Sequence, residues 1–191
     1  VLRHLWTRDG EPFHGEFLRF DGITLEPKPV QAPCPIWLTT NAGRLSNGQA
    51  DAGGSDFALR RVGRIADGWM THSVSPEGFR HSLDVILQAG QAAGRDMTGF
   101  GNVLCHHVNI DDDADAALAD AKQYLDRYYG ANYTPERLRA WGVYGPPAHC
   151  IEQIKRFVGS GCERITFRLA TTGDAMAQFR RLTQEILPFV A

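Results

Sequence analysis

The sequence lacks an excess of charge of either sign, paired cysteines and a long apolar run. Its 191 residues carry 20 Lys and Arg against 22 Asp and Glu, a formal net charge of −2. Nucleic-acid binding calls for a clustered basic surface, so this balance gives no reason to expect it. No stretch approaches the ~18 apolar residues of a membrane span. The four cysteines, Cys34, Cys105, Cys150 and Cys162, form no CxxC pair, which predicts reduced thiols in a cytoplasmic protein rather than a zinc ribbon or disulfide scaffold.

Familiar catalytic motifs are also missing. The chain contains no GxGxxG, no P-loop, no HExxH and no GxSxG. Nothing in it assembles an obvious nucleophile with its base, and no metal site is predicted. The sequence alone therefore assigns no catalytic residue.

What the sequence does contain is an alternation of strand and helix patterns. Short apolar runs predict strands at 35–39, 68–71, 102–110 and 165–169, and helical patterns predict helices at 55–66, 75–94, 114–129, 134–141, 147–161 and from 173 onward. Leu59, Val62 and Ile65 lie three apart, which predicts the buried face of the first of these helices. Such alternation is typical of parallel β/α units. Four units form either a small open sheet or half of an eight-stranded (β/α)8 TIM barrel, which has about 250 residues when whole.

Functional residues of parallel α/β folds lie at the carboxyl ends of the strands. After the first strand, Thr39, Thr40 and Asn41 offer hydroxyl, amide and backbone donors that suit a phosphate, although an ordinary polar turn has the same composition. On the second strand, Trp69 either packs against a planar cofactor or fills the core.

The later strands carry histidines and an arginine. His106 and His107 are adjacent on a strand, so they point to opposite faces and cannot jointly bind a metal; a structural role is favoured for them. Arg168 alternates with the apolar residues of the fourth strand. The pattern predicts a buried cation that needs an anion, either a phosphate, an acidic substrate or a carboxylate of the fold.

Several segments together resemble the bacterial luciferase-like monooxygenases, in order and spacing along the whole chain. They are FHGEF at 13–17, PKPVQAPCPIWL at 27–38, ALRRV at 58–62, ADGW at 66–69, GRD at 94–96, YGPP at 144–147 and EILP at 185–188. The resemblance implies a TIM-barrel flavoenzyme that uses reduced FMN with oxygen on a small organic substrate. The alternatives are a deazaflavin coenzyme used for hydride transfer, or a non-catalytic half-barrel that dimerises or binds a flavin.

The resemblance covers only the C-terminal part of the family sequence, about four β/α units. Residues 1–191 are therefore expected to be one domain that is a piece of a longer barrel, in keeping with a first segment, Val1–Trp6, that reads as helix from its start. The turn Thr39–Asn41 matches the phosphate-contacting segment of the family. Trp69 is expected to face the flavin, and Arg168 to contact substrate or phosphate. The implied partners are a flavin and a small molecule, with a homodimer as a further alternative and neither nucleic acid nor membrane.

Overall fold

A computed structural model describes residues 1–41 and 54–190 of the chain. Their contacts form two units, Val1–Ile36 and Trp37–Ala191. Within the described ranges, no helix has the length and apolar character that crossing a bilayer requires.

The first unit is a short helix joined to an antiparallel hairpin. Helix α1 spans Leu2–Thr7, and strands β1 (Phe13–His14) and β2 (Arg19–Phe20) pair with each other. The rings of Phe13 and Phe20 stack with centroids 5.2 Å apart, and the His4 ring meets Phe13 edge-on at 5.2 Å. These three rings hold the helix against the hairpin. The helix agrees with the helical pattern of Val1–Trp6, whereas the hairpin was not predicted.

The second unit is built on a parallel sheet. Its strands are β3 (Trp37–Thr39), β4 (Gly68–Thr71), β5 (Gly101–Ile110), β6 (Gly142–Gly145) and β7 (Ile165–Leu169). Strand β3 pairs with β4, β4 with the first part of β5, and β5 with β7. Four strands therefore lie side by side in chain order, as successive β/α units do. All four are the predicted ones.

Strand β6 is the addition that the sequence did not predict. It pairs with residues 107–110 of β5, while β7 pairs with residues 104–108. Because both neighbours share His107 and Val108, they must lie on opposite edges of β5. Strand β6 therefore pairs with the same edge of β5 as β4 does, but further along that strand.

The helices follow the strands closely in sequence. They are α2 (Gly54–Ile65), α3 (Pro76–Ala92), α4 (Ala114–Tyr129), α5 (Pro135–Arg139), α6 (Pro147–Gly159) and α7 (Ala175–Arg181), with a π-helical turn at Leu182–Ile186 and a 3-10 turn at Leu187–Phe189. Ser75, Asp113 and Thr134 accept amide hydrogen bonds at the starts of α3, α4 and α5. Helix α4 ends at Tyr129 and is followed by Gly130, whose φ of 62° suits a residue without a Cβ.

Helices α2, α3 and α6 cover one face of the sheet, whereas α4 contacts Asn109 and Arg168 of the other face. Trp69, Leu104 and Ile165 point to this helix-covered face and contact buried residues of α2, α3 and α6, such as Leu59 and Phe157. A second cluster joins Val108 and Ile110 to Ile154 and Ile186. The side chains that alternate with these form the other face, the open face, which includes Trp37, Thr39, Cys105, His107 and Arg168.

Helices α2 and α3 cross at two glycines. A Cβ on Gly63 would lie 2.1 Å from the Ile86 carbonyl oxygen and 3.0 Å from the Gly90 nitrogen. The backbones are therefore in direct contact, which only glycine permits at this position.

The predicted buried face of α2 needs one correction. Leu59 and Val62 are buried, but Ile65 is 55% exposed and Ala66 is buried in its place. At 3.6 residues per turn, position 66 returns to the direction of 59 and 62, whereas position 65 rotates away from it. The three-residue spacing was therefore the wrong repeat over two turns.

Candidate functional site

The turn after β3 is tied to the end of β4. The Thr40 amide donates to the Met70 carbonyl at 3.2 Å. Asn41 Oδ1 accepts from the His72 amide at 3.2 Å, and Asn41 Nδ2 lies 2.8 Å from His72 Nε2. Thr40 and Asn41 thus use these groups inside the fold, while Thr39 is exposed on the open face. Residues 42–53, which follow this turn, lie outside the described residues.

Trp69 lies on the helix-covered face, away from Thr39. It is fully buried, its ring lies 5.0 Å from that of Phe79, and its Nε1–H donates to the Thr40 carbonyl at 2.9 Å. Of the two roles that the sequence left open, its position is that of a core tryptophan. Direct stacking on a cofactor has no support in this position, because the helices enclose the ring; Trp69 instead anchors the turn that carries Thr39.

A cavity of about 290 Å³ lies on the open face. It is lined by His72, Cys105, His106, His107, Tyr129, Trp141, Thr166 and Arg168. We refer to it as the open-face cavity. It brings Arg168, predicted from the sequence, together with His72, Tyr129 and Trp141, which were not predicted as site residues. His72 directly follows β4, so the strand-end rule applied to it as well. Tyr129 is the last residue of α4 and Trp141 lies between α5 and β6, positions to which that rule does not apply.

Three histidines line this cavity, and each has a ring nitrogen without a hydrogen-bond partner among the described residues; for His72 and His107 the neighbouring groups define which nitrogen carries the proton. His107 Nδ1 lies 3.2 Å from the Trp141 carbonyl, so it donates there and Nε2 is left as an acceptor. His72 Nε2 accepts from the Asn41 amide group, so His72 Nδ1 carries the proton. Both His107 Nε2 and His72 Nδ1 are buried and have no partner within the described ranges. The cavity therefore offers one neutral donor and one neutral acceptor.

Burial keeps these groups uncharged. It lowers the pKa of His107 to about 4, with Arg168 and His72 acting in the same direction and the Trp141 carbonyl opposing them. Burial and the charge of Arg137 lower the pKa of His72. Burial raises the pKa of the Cys105 thiol. At neutral pH the cavity thus presents imidazoles and a thiol, not an imidazolium or a thiolate.

Arg168 supplies the positive charge. Its guanidinium carbon lies 4.2 Å from the centre of the Tyr128 ring, and Nη1 donates to the Tyr129 hydroxyl at 3.0 Å. The side chain is partly exposed. The prediction of a buried cation that requires an anion is therefore wrong, because two tyrosines of α4 and solvent accommodate the charge. The guanidinium remains able to bind an added anion.

A carboxylate fixes the segment beyond β7. Asp120 of α4 accepts from Asn109 Nδ2 and Thr171 Oγ1, both at 2.7 Å, and from the Thr172 amide at 3.0 Å. Burial raises the pKa of Asp120, but the bonds from Thr172, Thr171 and Asn109 outweigh it and lower the pKa overall. The ionised side chain thereby holds the end of β7, which carries Arg168, against α4.

Comparison with known families agrees with this geometry. The family model described as luciferase-like monooxygenase matches residues 1–164. The chain belongs to the luciferase-like monooxygenase family. Members of this family are flavin-dependent oxidoreductases and monooxygenases.

Individual relatives of this luciferase-like chain use two kinds of flavin. The chain is 32% identical over 121 residues to an FMNH2-dependent dimethylsulfone monooxygenase of Pseudomonas putida. The matched segment covers 63% of the chain and 30% of that protein. The chain is 26% identical over 209 residues to an F420-dependent glucose-6-phosphate dehydrogenase of Nakamurella multipartita, covering 98% of the chain and 57% of that protein.

The fold has close structural counterparts. The whole chain superposes on 61% of a coenzyme F420 dependent tetrahydromethanopterin reductase of Methanopyrus kandleri, with a TM-score of 0.72 and 14% identity. The predicted fold class is confirmed: a parallel α/β fold of the TIM-barrel type, present in part. The chain spans less than two thirds of each of these three proteins.

Proposed function

We propose that this luciferase-like chain forms one side of the active site of a flavin-dependent oxidoreductase that uses reduced FMN and oxygen on a small organic substrate. The observation that carries the proposal is the open-face cavity. It combines the His72 donor, the His107 acceptor and the Arg168 cation beside the parallel strands, where α/β enzymes bind their ligands. The similarity to an FMNH2-dependent monooxygenase supports the choice of cofactor.

The side chains present fit a flavin. The pyrimidine edge of a flavin ring carries both carbonyl acceptors and an N–H donor, and the buried, unpartnered His72 Nδ1–H and His107 Nε2 complement them. The flavin side chain of FMN ends in a phosphate, which suits the exposed Thr39 hydroxyl or the Arg168 guanidinium. These are the residues that would hold the cofactor.

The redox chemistry is that of the flavin itself, so the protein needs no nucleophile of its own. The chain's residues bind and orient. Because the imidazoles of His72 and His107 are neutral, Arg168 is the positive charge that the lining of this cavity offers to an electron-rich reduced ring. Trp141 and Tyr129 stack with centroids 5.2 Å apart and exclude water from one wall of the cavity.

Hydride transfer with a deazaflavin coenzyme is the second candidate. The relative that matches 98% of the chain is F420-dependent. The same donor, acceptor and cation suit a deazaflavin, whose pyrimidine edge is like that of FMN.

Fluorescence titration of the chain with FMN and, separately, with F420 tests the proposal. We expect FMN to bind, Arg168→Met to weaken binding about tenfold through loss of one charge-assisted contact, and Arg127→Met to leave it within about twofold. Arg127 is the matched control because it is an exposed arginine in the last turn of α4. Oxygen uptake with photoreduced FMN then tests turnover.

Binding of F420 alone would favour hydride transfer over the FMN proposal. Binding of neither cofactor, or an equal response of the Arg168 and Arg127 variants, would contradict the assignment of the open-face cavity as the flavin site.

A further inference from the structure

The side chain of Asn41 joins the turn after β3 to the end of β4 through both of its polar atoms. Its Oδ1 accepts from the His72 amide at 3.2 Å and from the Thr71 hydroxyl at 3.3 Å. Its Nδ2 lies 2.8 Å from Nε2 of the His72 ring. Asn41 therefore contacts both the backbone and the ring of the same histidine.

The backbone contact decides which way the Asn41 amide faces. A backbone N–H can only donate, so the atom of Asn41 beside the His72 amide must be the oxygen. The NH2 group then faces the ring and donates to His72 Nε2, which leaves the proton of the neutral imidazole on Nδ1. The position of this proton is thus set by Asn41 and does not depend on a ligand in the cavity.

The tautomer of His72 sets the hydrogen-bonding pattern of the open-face cavity. His72 and His107 both line the cavity, and both rings pack on Trp141, with centroids 5.7 Å and 4.9 Å from that of the indole. The Trp141 carbonyl fixes His107 with its proton on Nδ1, so His107 presents Nε2 as an acceptor. If His72 had the other tautomer, both of these imidazoles would present acceptors.

Charge does not override this arrangement. Burial is the main cause that lowers the pKa of His72, and Arg137 acts in the same direction. None of the described residues that line the cavity is a carboxylate that would favour an imidazolium. His72 is therefore a neutral ring at pH 7, and a neutral ring has one donor and one acceptor, whose assignment Asn41 makes.

We propose that Asn41 is a positioning residue that sets the ligand specificity of the open-face cavity. By holding the His72 proton on Nδ1, it selects a ligand edge on which a carbonyl oxygen lies beside an N–H group, as in a lactam or an imide. The carbonyl accepts from His72, and the N–H donates to His107 Nε2. The consequence for flavin binding rests on the function proposed above, whereas the position of the His72 proton does not.

Long-range 1H–15N NMR of the 15N-labelled chain shows which nitrogen of each imidazole carries the proton, and the His72 signals are assigned by their absence in His72→Gln. We expect the Nδ1–H form of His72 in the parent chain. In Asn41→Asp one carboxylate oxygen keeps the His72 amide and the other accepts from Nε2–H, so the tautomer should invert. This variant is measured above the pKa of His72, which the new carboxylate raises.

Two controls accompany this measurement. Asn132→Asp is the matched variant, because Asn132 is exposed and its side-chain oxygen accepts from Lys122. His72 should keep the Nδ1–H form in it. His107 is the internal reference, because a backbone carbonyl fixes its tautomer, and it should be unchanged in all three chains.

Fluorescence titration then measures the effect on binding. Inversion replaces a hydrogen bond by two facing acceptors, so Asn41→Asp should bind FMN about tenfold more weakly than the parent chain, and Asn132→Asp within about twofold. Riboflavin has the same ring edge without the phosphate. It should lose affinity by the same factor, which separates the effect at the ring edge from repulsion between the new carboxylate and the phosphate.

Three results would overturn the proposal. They are the Nε2–H form of His72 in the parent chain, an unchanged tautomer in Asn41→Asp, and inversion of the tautomer without loss of riboflavin binding. The first of these needs no variant, so it decides the matter even if Asn41→Asp does not fold. A parent chain that binds no flavin would contradict the proposed function, while the tautomer of His72 would still decide the role of Asn41.

Discussion

Replacing Gly63 by alanine should destabilise the second unit, although alanine is the better helix former. The added Cβ would lie 2.1 Å from the Ile86 carbonyl oxygen. Ordinary contact begins at 3.4 Å, so the two atoms must move apart by about 1.3 Å. The clashing atoms belong to the backbones of α2 and α3, and no side-chain rotation can relieve them.

The size of the effect follows from two opposing contributions. Overpacking a close contact costs about 1–3 kcal/mol, and a clash between backbones belongs at the upper end of that range. Alanine regains about 1 kcal/mol of helix propensity over glycine. We therefore expect a net loss of about 2 kcal/mol in the free energy of unfolding, or about 4–8 °C in Tm for a chain of this length.

Urea unfolding followed by far-UV circular dichroism measures this change. Gly159→Ala is the matched control, because Gly159 is also helical and a Cβ there meets nothing within 4 Å. The control should be neutral or more stable by up to about 0.5 kcal/mol. Equal stability of the Gly63 and Gly159 variants would refute the inference that the two helices touch through their backbones.

Two further perturbations address the titrating groups. His107 should stay neutral in NMR titrations until the pH nears 4; because the unfolded chain takes up this proton near pH 6.5, stability should fall as the pH drops from 6.5 to 4, and less so in His107→Gln. A His107 signal that titrates near its ordinary pKa would contradict its burial. Asp120→Asn should lower the free energy of unfolding by about 2 kcal/mol, since donors such as Asn109 then face an amide, whereas the exposed Asp115→Asn should cost under about 1 kcal/mol. Equal urea midpoints for the two variants would show that the Asp120 network contributes nothing.

The parallel sheet was predictable because its main strands are encoded locally. Residues 165–169 alternate apolar and polar side chains, and the alternation alone sets which of them face the helices. Strand β6 was not predictable in this way. Two of its four residues are glycine, and it exists through pairing with β5, more than thirty residues away along the chain. Such pairing leaves no periodic trace in the short segment itself.

For the candidate site, the sequence offered only the rule that functional residues lie at the carboxyl ends of parallel strands. That rule selected Thr39 and Arg168, and both side chains lie on the open face. It could not decide the direction of Trp69, because the sequence Gly68–Thr71 shows no clear alternation; the register beside Leu38 turns the indole toward the helices. The tyrosines that accommodate Arg168 lie about forty residues away on α4, and nothing in the sequence links them to it.

The pairing of β5 along both of its edges governs how the sheet can open. Strands β4 and β6 share one edge and β7 holds the other, so β5 cannot loosen without breaking bonds to three neighbours. Strand β3 has three residues and is paired with β4 alone among the described strands. Local unfolding therefore starts at the Thr39 side of the sheet and reaches Cys105 and His107, which line the open-face cavity, last.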